Sequence, residues 1–354
     1  MLKGYKIVKE AELIKYVKKA LESCFNPVQP VQIHQMETES TDSGTDFILK
    51  IETPLGEKTI FAELFANGQP RYARLLIDRR LQLSKSSDSY YVFIAPFITG
   101  KTGELLKKHD IGYLDFAGNC FISFDGIHIE KEGNKNPFLT KRILGSLYQA
   151  KASRVLRVLL SSPKEQWRLG RLAQKAEVSL GHAYNVKREL IDREWAIAKP
   201  DGLKLTEPAE LLKDWVKHYR YERNTIYSFY SLQNPFSLER SLNDICKKLD
   251  IQYALSDFAG AARIAPFVRY HRVSSYLAGS VGEIARRLDL KKVTSGENIS
   301  LMIPYDSGVF YDYRIIQDIH IASPLQLYLD LKRSSWRGTE AAELIYEKEI
   351  SAKW

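Results

Sequence analysis

The stretch that most constrains this chain runs from Ser153 to Thr206 and has the pattern of three helices followed by a β-hairpin. Its apolar residues recur at helical spacing in three successive groups and then change to the alternation of strands. The groups are Val155, Leu156, Leu159 and Leu160; Leu169, Leu172 and Ala173; and Ala183, Val186 and Leu190. An Asp201-Gly202 pair between two short alternating runs is a strong hairpin signal. This order predicts a winged helix-turn-helix.

The third helix of this pattern carries side chains suited to reading DNA. We predict a recognition helix over 180–194, capped by Ser179 after the short link 177–179. Its apolar residues pack inward, so polar residues lie on or beside the outward face, and two lysines flank the wing tip. The predicted DNA-binding residues are Ser179, His182, Tyr184, Asn185, Lys187, Arg188, Lys199 and Lys204. Asn and Arg can bond base edges, whereas Lys and Tyr suit phosphate oxygens.

Charge supports a nucleic-acid partner for this stretch. From Lys151 to Tyr219 there are 14 Lys and Arg against 9 Asp and Glu, a net charge of +5 out of +9 for the whole chain. A basic surface on a helix-turn-helix favours double-stranded DNA, because binding releases the counterions of the phosphates. The same elements could serve as a protein-docking module or spacer, but the charge favours DNA.

Composition narrows the class of protein further. A chain of 354 residues predicts two or three domains. No apolar run approaches the roughly 18 to 20 residues that span a bilayer, and charged residues interrupt the amino terminus, so we expect a cytoplasmic protein with no membrane partner. The three cysteines and seven histidines are scattered. They predict neither a disulfide framework nor a structural metal, and no cofactor is expected.

The amino-terminal third reads as a mixed sheet flanked by helices. Strands are predicted over 47–53, 58–65, 90–98 and 112–116, and helices over 8–25, 71–83 and 99–109. The polar segment Glu130 to Pro137 is a predicted linker. Within this domain Asp115 precedes a Gly118-Asn119 turn, where its carboxylate could bind a metal or satisfy backbone donors; the second interpretation is favoured.

Asp46 and Glu63 are the one enzyme-like pair of this domain. They lie 17 positions apart on neighbouring predicted strands and resemble the acidic pair of the restriction-endonuclease-like nuclease fold. There, two carboxylates bind a divalent metal and a lysine two positions after the second acid assists. Phe65 stands at that position here, although Lys50 or Lys58 could substitute. We therefore expect a retained scaffold in which Asp46 and Glu63 are vestigial and hold no metal.

The last 130 residues predict an α+β domain. Helices are predicted over 237–249, 253–263, 281–288, 324–333 and 338–349, and strands over 271–279, 297–305 and 307–316. Ser323 is placed to cap the fourth helix. A basic cluster of Arg263, Arg269, His271 and Arg272 either extends a nucleic-acid surface or lies in a solvated loop.

Three segments resemble the AbiEi family of type IV toxin-antitoxin antitoxins. They are Ile94 to Ile98 followed by GYLDFAGN (112–119), the winged helix, and SPLQLYLDLKRSSWRGTEAAELI (323–345). The resemblance implies a cytoplasmic DNA-binding repressor of its own operon. It also implies a functional partner, a nucleotidyltransferase-type toxin that is countered without a stable complex. The best-known members place the winged helix at the amino terminus, whereas here it is internal.

The sequence thus predicts an α+β multidomain protein without enzymatic activity. The domains are a degenerate, inactive nuclease-like mixed-sheet domain (1–135), a winged helix-turn-helix (136–220) and an antitoxin-like α+β domain (221–354). The predicted function is a sequence-specific, autorepressing antitoxin that binds DNA as a homodimer. A metal-dependent DNA endonuclease guided by the winged helix is the alternative. A protein-interaction scaffold is the second alternative.

Overall fold

The computed structural model describes residues 16–17, 19–21, 24, 32–38, 46–53, 55–82, 89–137, 147–265, 270–333 and 336–354. The chain divides into two compact units, 1–142 with 192–194 and 143–191 with 195–354. Both combine helices with sheets, as the α+β prediction requires. No helix within the described ranges is long and apolar enough to cross a bilayer.

The first unit is built on a seven-stranded mixed sheet in the order β1-β2-β3-β4-β5-β6-β7. Its strands are β1 (Gln32–Thr38), β2 (Phe47–Thr53), β3 (Gly56–Leu64), β4 (Ser89–Ala95), β5 (Gly112–Asp115), β6 (Cys120–Phe124) and β7 (Ile127–Lys131). Strands β3, β4 and β5 are parallel, and the other neighbours are antiparallel. Helices α1 (Pro70–Gln82) and α2 (Gly100–Lys107) form the crossovers that parallel strands need.

Each face of this sheet has its own apolar core. On one face, Leu49 and Ile60 pack with Val17 and Leu21, which belong to the helical residues 16–17, 19–21 and 24. On the other face, the inward residues of α1 and α2 pack on Phe65, Phe93 and their neighbours. The predicted helix over 8–25 lies mostly outside the described residues, but its described part is helical.

The predicted linker from Glu130 to Pro137 is tied to the sheet. Its first two residues complete β7. The Asn134 N–H donates to Asn119 Oδ1 (2.9 Å), and the Asn119 side-chain amide donates back to the Asn134 carbonyl (3.3 Å). The linker prediction was therefore wrong for these residues, because polar composition does not reveal such anchoring.

The second unit begins with the elements predicted between Ser153 and Thr206. These are α3 (Ala150–Ser161), β8 (Gln166–Trp167), α4 (Leu169–Lys175), α5 (Leu180–Asp192), β9 (Ala196–Lys199), β10 (Gly202–Leu205) and α6 (Pro208–His218). The three strands pair in the order β8-β10-β9. The predicted helices and hairpin are present, and α5 ends two residues earlier than expected.

A second seven-stranded sheet follows, in the order β14-β11-β15-β13-β12-β17-β16. Its strands are β11 (Thr225–Tyr230), β12 (Tyr253–Ser256), β13 (Val273–Leu277), β14 (Lys291–Lys292), β15 (Ile299–Ile303), β16 (Arg314–Ile316) and β17 (Ile319–Ile321). The accompanying helices are α7 (Pro235–Lys248), α8 (Asp257–Ile264), α9 (Val281–Arg287), α10 (Pro324–Lys332) and α11 (Trp336–Ile345). As predicted, Ser323 caps α10 through the Gln326 N–H (3.2 Å).

Two secondary-structure predictions in this region were wrong. The predicted helix over 253–263 is strand β12 followed by helix α8; all four residues of β12 are buried, and a short apolar run of this kind does not distinguish strand from helix. The first part of the predicted strand over 307–316 is a 3₁₀ turn. Asp306 closes that turn by accepting the Gly308 N–H at 2.8 Å.

One apolar core extends through the second unit. It contains Leu156 of α3, Trp215 of α6, Tyr276 of β13 and Leu327 of α10. Trp215 is fully buried. The predicted boundary at residue 220 falls inside this unit, because α6 contributes to the same core as the sheet that follows it.

Candidate nucleic-acid interface

Helix α5 is held in the second unit by three buried residues and a cap. Ala183, Val186 and Leu190 are 0%, 3% and 0% exposed. Ser179 caps the helix, since its hydroxyl accepts the His182 N–H at 3.3 Å. Fixing one face of the helix in the core determines which side chains face solvent.

The outward face of α5 is a stripe of four residues: Gly181, Tyr184, Asn185 and Arg188. Their spacing of three, four and seven places them on one side of the helix, opposite the buried residues. Tyr184, Asn185 and Arg188 are exposed. His182 and Lys187 lie on the flanks of this stripe, and Ser179 is engaged in the cap. The structure thus brings together the predicted base-reading side chains.

The wing presents its two lysines on one face. Leu203 and Leu205 of β10 point into the core, so Lys204 points outward. Lys204 pairs with Ile197, and in antiparallel strands Lys199 of β9 falls on the same outer face. Lys199 is exposed and Lys204 half-buried. Both predicted wing lysines therefore belong to one surface.

Gly202 fixes where the wing turns. Its φ is +139°, and a Cβ at this position would lie 2.5 Å from the Trp167 carbonyl oxygen. Only glycine meets both conditions. The close approach joins the hairpin to β8, which gives the short wing a third strand.

The basic side chains of this surface are not neutralised internally. Within the described part of the chain, no ion pair engages Lys187, Arg188, Lys199 or Lys204. Other cations of the same segment are paired: Arg171 meets Glu165 at 2.8 Å, and Arg154 forms a fork with Asp306. Unpaired cations around an amide and a phenol constitute a surface complementary to a polyanion.

The start of α5 is sterically open. Leu180 is 58% exposed, and a Cβ on Gly181 would meet no atom within 4 Å. Glycine inside a helix costs roughly 0.5–1 kcal/mol relative to alanine. A side chain at position 181 would fit without any clash inside the protein, so internal packing does not explain the glycine. The position therefore has room for an external group to approach closely.

The predicted acidic pair does come together in the first unit. The Asp46 N–H donates to the Ala62 carbonyl at 3.2 Å, which places Asp46 opposite Glu63 across the β2–β3 ladder. Asp46 Oδ2 accepts the Leu64 N–H at 2.7 Å, and Glu63 bonds the Arg79 guanidinium of α1. Sequence reasoning missed Arg79, because 16 residues and a crossover separate it from Glu63.

The surroundings of the acidic pair do not fit a divalent metal. Burial raises the pKa of Glu63 to about 7 even though Arg79 opposes the shift, and burial also raises the pKa of Asp46. The Arg79 guanidinium bound to Glu63 places a positive charge where a cation would have to bind. No group of three or more His, Cys, Asp or Glu side chains able to hold a metal occurs among the residues described.

The assisting lysine has no counterpart near the pair. Phe65 is 8% exposed and stacks on Phe93 with ring centroids 4.5 Å apart. Lys58 Nζ lies 3.0 Å from Asp125 Oδ2. Side chains alternate between the two faces along β3, so Lys58 and Glu63, five residues apart, lie on different faces of the sheet. Lys50 is four residues along β2, about 13 Å, from the first carboxylate.

Asp115 satisfies backbone donors, as favoured from the sequence. Its carboxylate accepts the N–H groups of Ile98 (3.1 Å), Ala117 (2.9 Å) and Asn119 (2.9 Å), and also the Asn119 side-chain amide (2.8 Å). These four bonds occupy a fully buried side chain. Asp115 therefore organises the turn after β5.

Two members of the predicted basic cluster at 263–272 form ion pairs within the protein. Arg263 is bound to Glu239, whose side chain is fully buried, and Tyr270 donates to the same carboxylate at 2.6 Å. Arg272 pairs with Glu297 at 2.9 Å. Arg269 lies outside the described residues. Of the two interpretations left open for this cluster, neither applies to Arg263, whose side chain is 10% exposed and paired with buried Glu239.

A buried polar network of the second unit was also missed. Asp330 of α10 accepts hydrogen bonds from Tyr219 (2.6 Å), Tyr276 (2.9 Å) and Gln326 (2.8 Å). Gln326 in turn accepts a bond from Arg157 of α3 at 2.6 Å. A lone acid inside the apolar run LQLYLDL is the signal that could have revealed it.

Comparison with known proteins gives one family match. Residues 204–351 match the family model described as "Transcriptional regulator, AbiEi antitoxin, Type IV TA system". No curated protein matches the chain. The structure of EndoMS in apo form is similar over 31% of this chain and 47% of that chain, with 16% identity and a TM-score of 0.22. Residues 204–351 are therefore similar to the AbiEi family of type IV antitoxins, and of the segments that predicted this resemblance, 323–345 lies within the match.

Proposed function

We propose that this chain is a DNA-binding transcriptional regulator that acts as the antitoxin of a type IV toxin-antitoxin system. The α5 stripe and the wing lysines bind double-stranded DNA upstream of its own gene, so that the protein represses its own synthesis. It acts in the cytoplasm and has no enzymatic activity of its own. The functional partner is a nucleotidyltransferase-type toxin, countered without a stable complex.

The observation that carries this proposal is the unneutralised outward face of α5. An arginine and an asparagine are the side chains that bond guanine and adenine edges in two places. Here Asn185 and Arg188 are neighbours on one exposed face, and the unpaired Lys199 and Lys204 lie on one face of the wing. A docking module has no need of this combination. Helix-turn-helix proteins usually bind two half-sites, so we propose a homodimer on DNA.

The test is a gel-shift titration with DNA from upstream of the gene, beside random DNA of equal length. We expect preferential binding to the upstream fragment. Each phosphate contact steepens the salt dependence, so affinity should fall by at least tenfold between roughly 50 mM and roughly 200 mM salt. Equal binding to both DNAs would contradict sequence-specific regulation, and no binding would favour the interaction scaffold.

The same titration with Mn²⁺ distinguishes the endonuclease alternative. Arg79 binds the Glu63 carboxylate, and Phe65 stands where the assisting lysine would be, two positions after Glu63. We therefore expect DNA to remain intact for hours with excess protein and metal. Glu63→Ala should then behave as wild type in binding and in cleavage. Metal-dependent cleavage that is lost in Glu63→Ala, with affinity unchanged, would establish the nuclease instead.

Gly181→Ala separates DNA contact from folding. We expect this change to stabilise the protein by roughly 0.5–1 kcal/mol, because alanine is the better helix former. It should nevertheless weaken DNA binding several-fold, because the added methyl group occupies the space left for DNA.

Gly282→Ala is the matched control for this change. Gly282 is also the second residue of its helix, α9, and a Cβ there would meet only Ser280 Oγ, at 4.0 Å. It should raise the unfolding temperature and leave the DNA affinity unchanged. Wild-type affinity in Gly181→Ala would remove the start of α5 from the interface.

A further inference from the structure

Cys24 and Cys120 lie side by side in the first unit although 96 positions separate them. Cys24 is in helical conformation, and Cys120 begins β6. Both side chains are almost fully buried, at 3% and 2% exposure, and their thiols hydrogen-bond to each other. A disulfide requires the two sulfur atoms to approach to about 2.05 Å, and hydrogen-bonded thiols already face each other.

The thiol pair borders a cavity of about 250 Å³. The lining includes Lys19, Lys131, Tyr16 and Phe116, so it combines two cations with aromatic walls. A water molecule takes about 30 Å³ of liquid, so the cavity has room for small polar molecules. Hydrogen peroxide, which is little larger than water, fits in a cavity of this volume beside the two thiols.

Lys131 favours the reactive form of Cys120. The two residues are directly opposed in the β6–β7 ladder. The hydrogen bond with Cys24 and the charge of Lys131 lower the pKa of the Cys120 thiol against the effect of burial. The thiolate is the nucleophilic form of cysteine. Among the described residues, no thiol or cation lowers the pKa of Cys246 in α7, and burial raises that pKa to about 12.

We propose that Cys24 and Cys120 are a peroxide-reactive thiol pair that closes to an intramolecular disulfide. The Cys120 thiolate attacks one peroxide oxygen, the O–O bond breaks, and the departing hydroxide takes a proton to become water. Cys24 Sγ then attacks the sulfenic sulfur, and its proton leaves with the hydroxyl group as a second water. Two thiols are oxidised and one peroxide is reduced. Cytosolic disulfides are commonly transient and redox-sensing, which suits this pair.

The experiment treats the full reduced chain with hydrogen peroxide under native conditions. The protein is then denatured, and free thiols are alkylated and counted by mass spectrometry. We expect one of the three cysteines to remain alkylatable and peptide mapping to identify it as Cys246, with Cys24 linked to Cys120. Three alkylatable thiols after excess peroxide, or a disulfide that includes Cys246, would overturn the proposal.

Three variants test the assigned roles. Cys246→Ser is the matched control and should lose two thiols as wild type does. Cys24→Ser removes the second thiol, so Cys120 should accumulate as a sulfenic acid that dimedone traps; no adduct would contradict attack by Cys120. Lys131→Met should slow disulfide formation several-fold, and an unchanged rate would remove the lysine from the proposal. The wild-type mapping remains decisive even where a variant folds poorly.

Discussion

Arg188→Ala is expected to weaken binding to the upstream DNA by about 10- to 100-fold and to reduce binding to random DNA far less. The guanidinium lies on the outward stripe of α5 and meets no acid within the described part of the chain. A bidentate contact between arginine and a guanine edge contributes about 1–3 kcal/mol of discrimination. Loss of that contact should therefore narrow the difference between the two DNAs. Fluorescence anisotropy with labelled duplexes at fixed salt measures both affinities.

Two further variants make this result interpretable. Lys199→Ala removes the same charge from the wing, where we propose a phosphate contact, so it should weaken binding to both DNAs evenly and reduce the salt slope by about one. Arg240→Ala removes the charge of an exposed residue of α7 and should change neither affinity by more than about twofold. Equal losses on both DNAs for Arg188→Ala and Lys199→Ala would show that α5 does not read sequence.

The helix-turn-helix surface could be predicted because its information is local. Periodicity fixes which side of α5 enters the core, and the remaining side follows from geometry. Ala183, Val186 and Leu190 thereby determine that Asn185 and Arg188 face outward. The Asp201-Gly202 turn is local in the same sense.

The pairings that modify these groups could not be predicted, because they join residues far apart in sequence. Arg79 reaches Glu63 only after the β3–α1 crossover, and Cys24 meets Cys120 across 96 positions. Arg263 looked like part of a basic patch, yet its partner Glu239 is buried on another helix. Composition identifies the charges, whereas topology decides which of them are neutralised.

The Asp330 network connects α3, the first helix of the helix-turn-helix segment, with α10 of the region that follows it. Arg157 of α3 is 2% exposed, stacks over Trp215 at 5.2 Å and donates to Gln326. Gln326 and Asp330 are one turn apart on α10 and bond each other at 2.8 Å. A buried cation and a buried carboxylate are therefore bridged by one amide. Hydrogen bonds depend on distance and direction, so this network restricts the position of α3 relative to α10 more than apolar packing alone would.

Asp330→Ala is expected to destabilise the second unit by about 3–5 kcal/mol, because removing one member leaves the others buried without partners. Four donors lose their acceptor, those of Ser256, Tyr219, Tyr276 and Gln326. Asp330→Asn keeps the volume and an acceptor oxygen, so its cost should be smaller.

Tryptophan fluorescence during urea unfolding measures this loss in the correct unit, because all five tryptophans lie at or beyond residue 167. Asp318→Ala is the matched control: it removes an aspartate that is 70% exposed and pairs with Lys247, and such a surface pair contributes at most about 1 kcal/mol. If both alanine variants unfolded at the same urea concentration, the network would add no stability. In that case apolar packing alone, around Trp215 and Leu327, would hold α3 and α10 in one core.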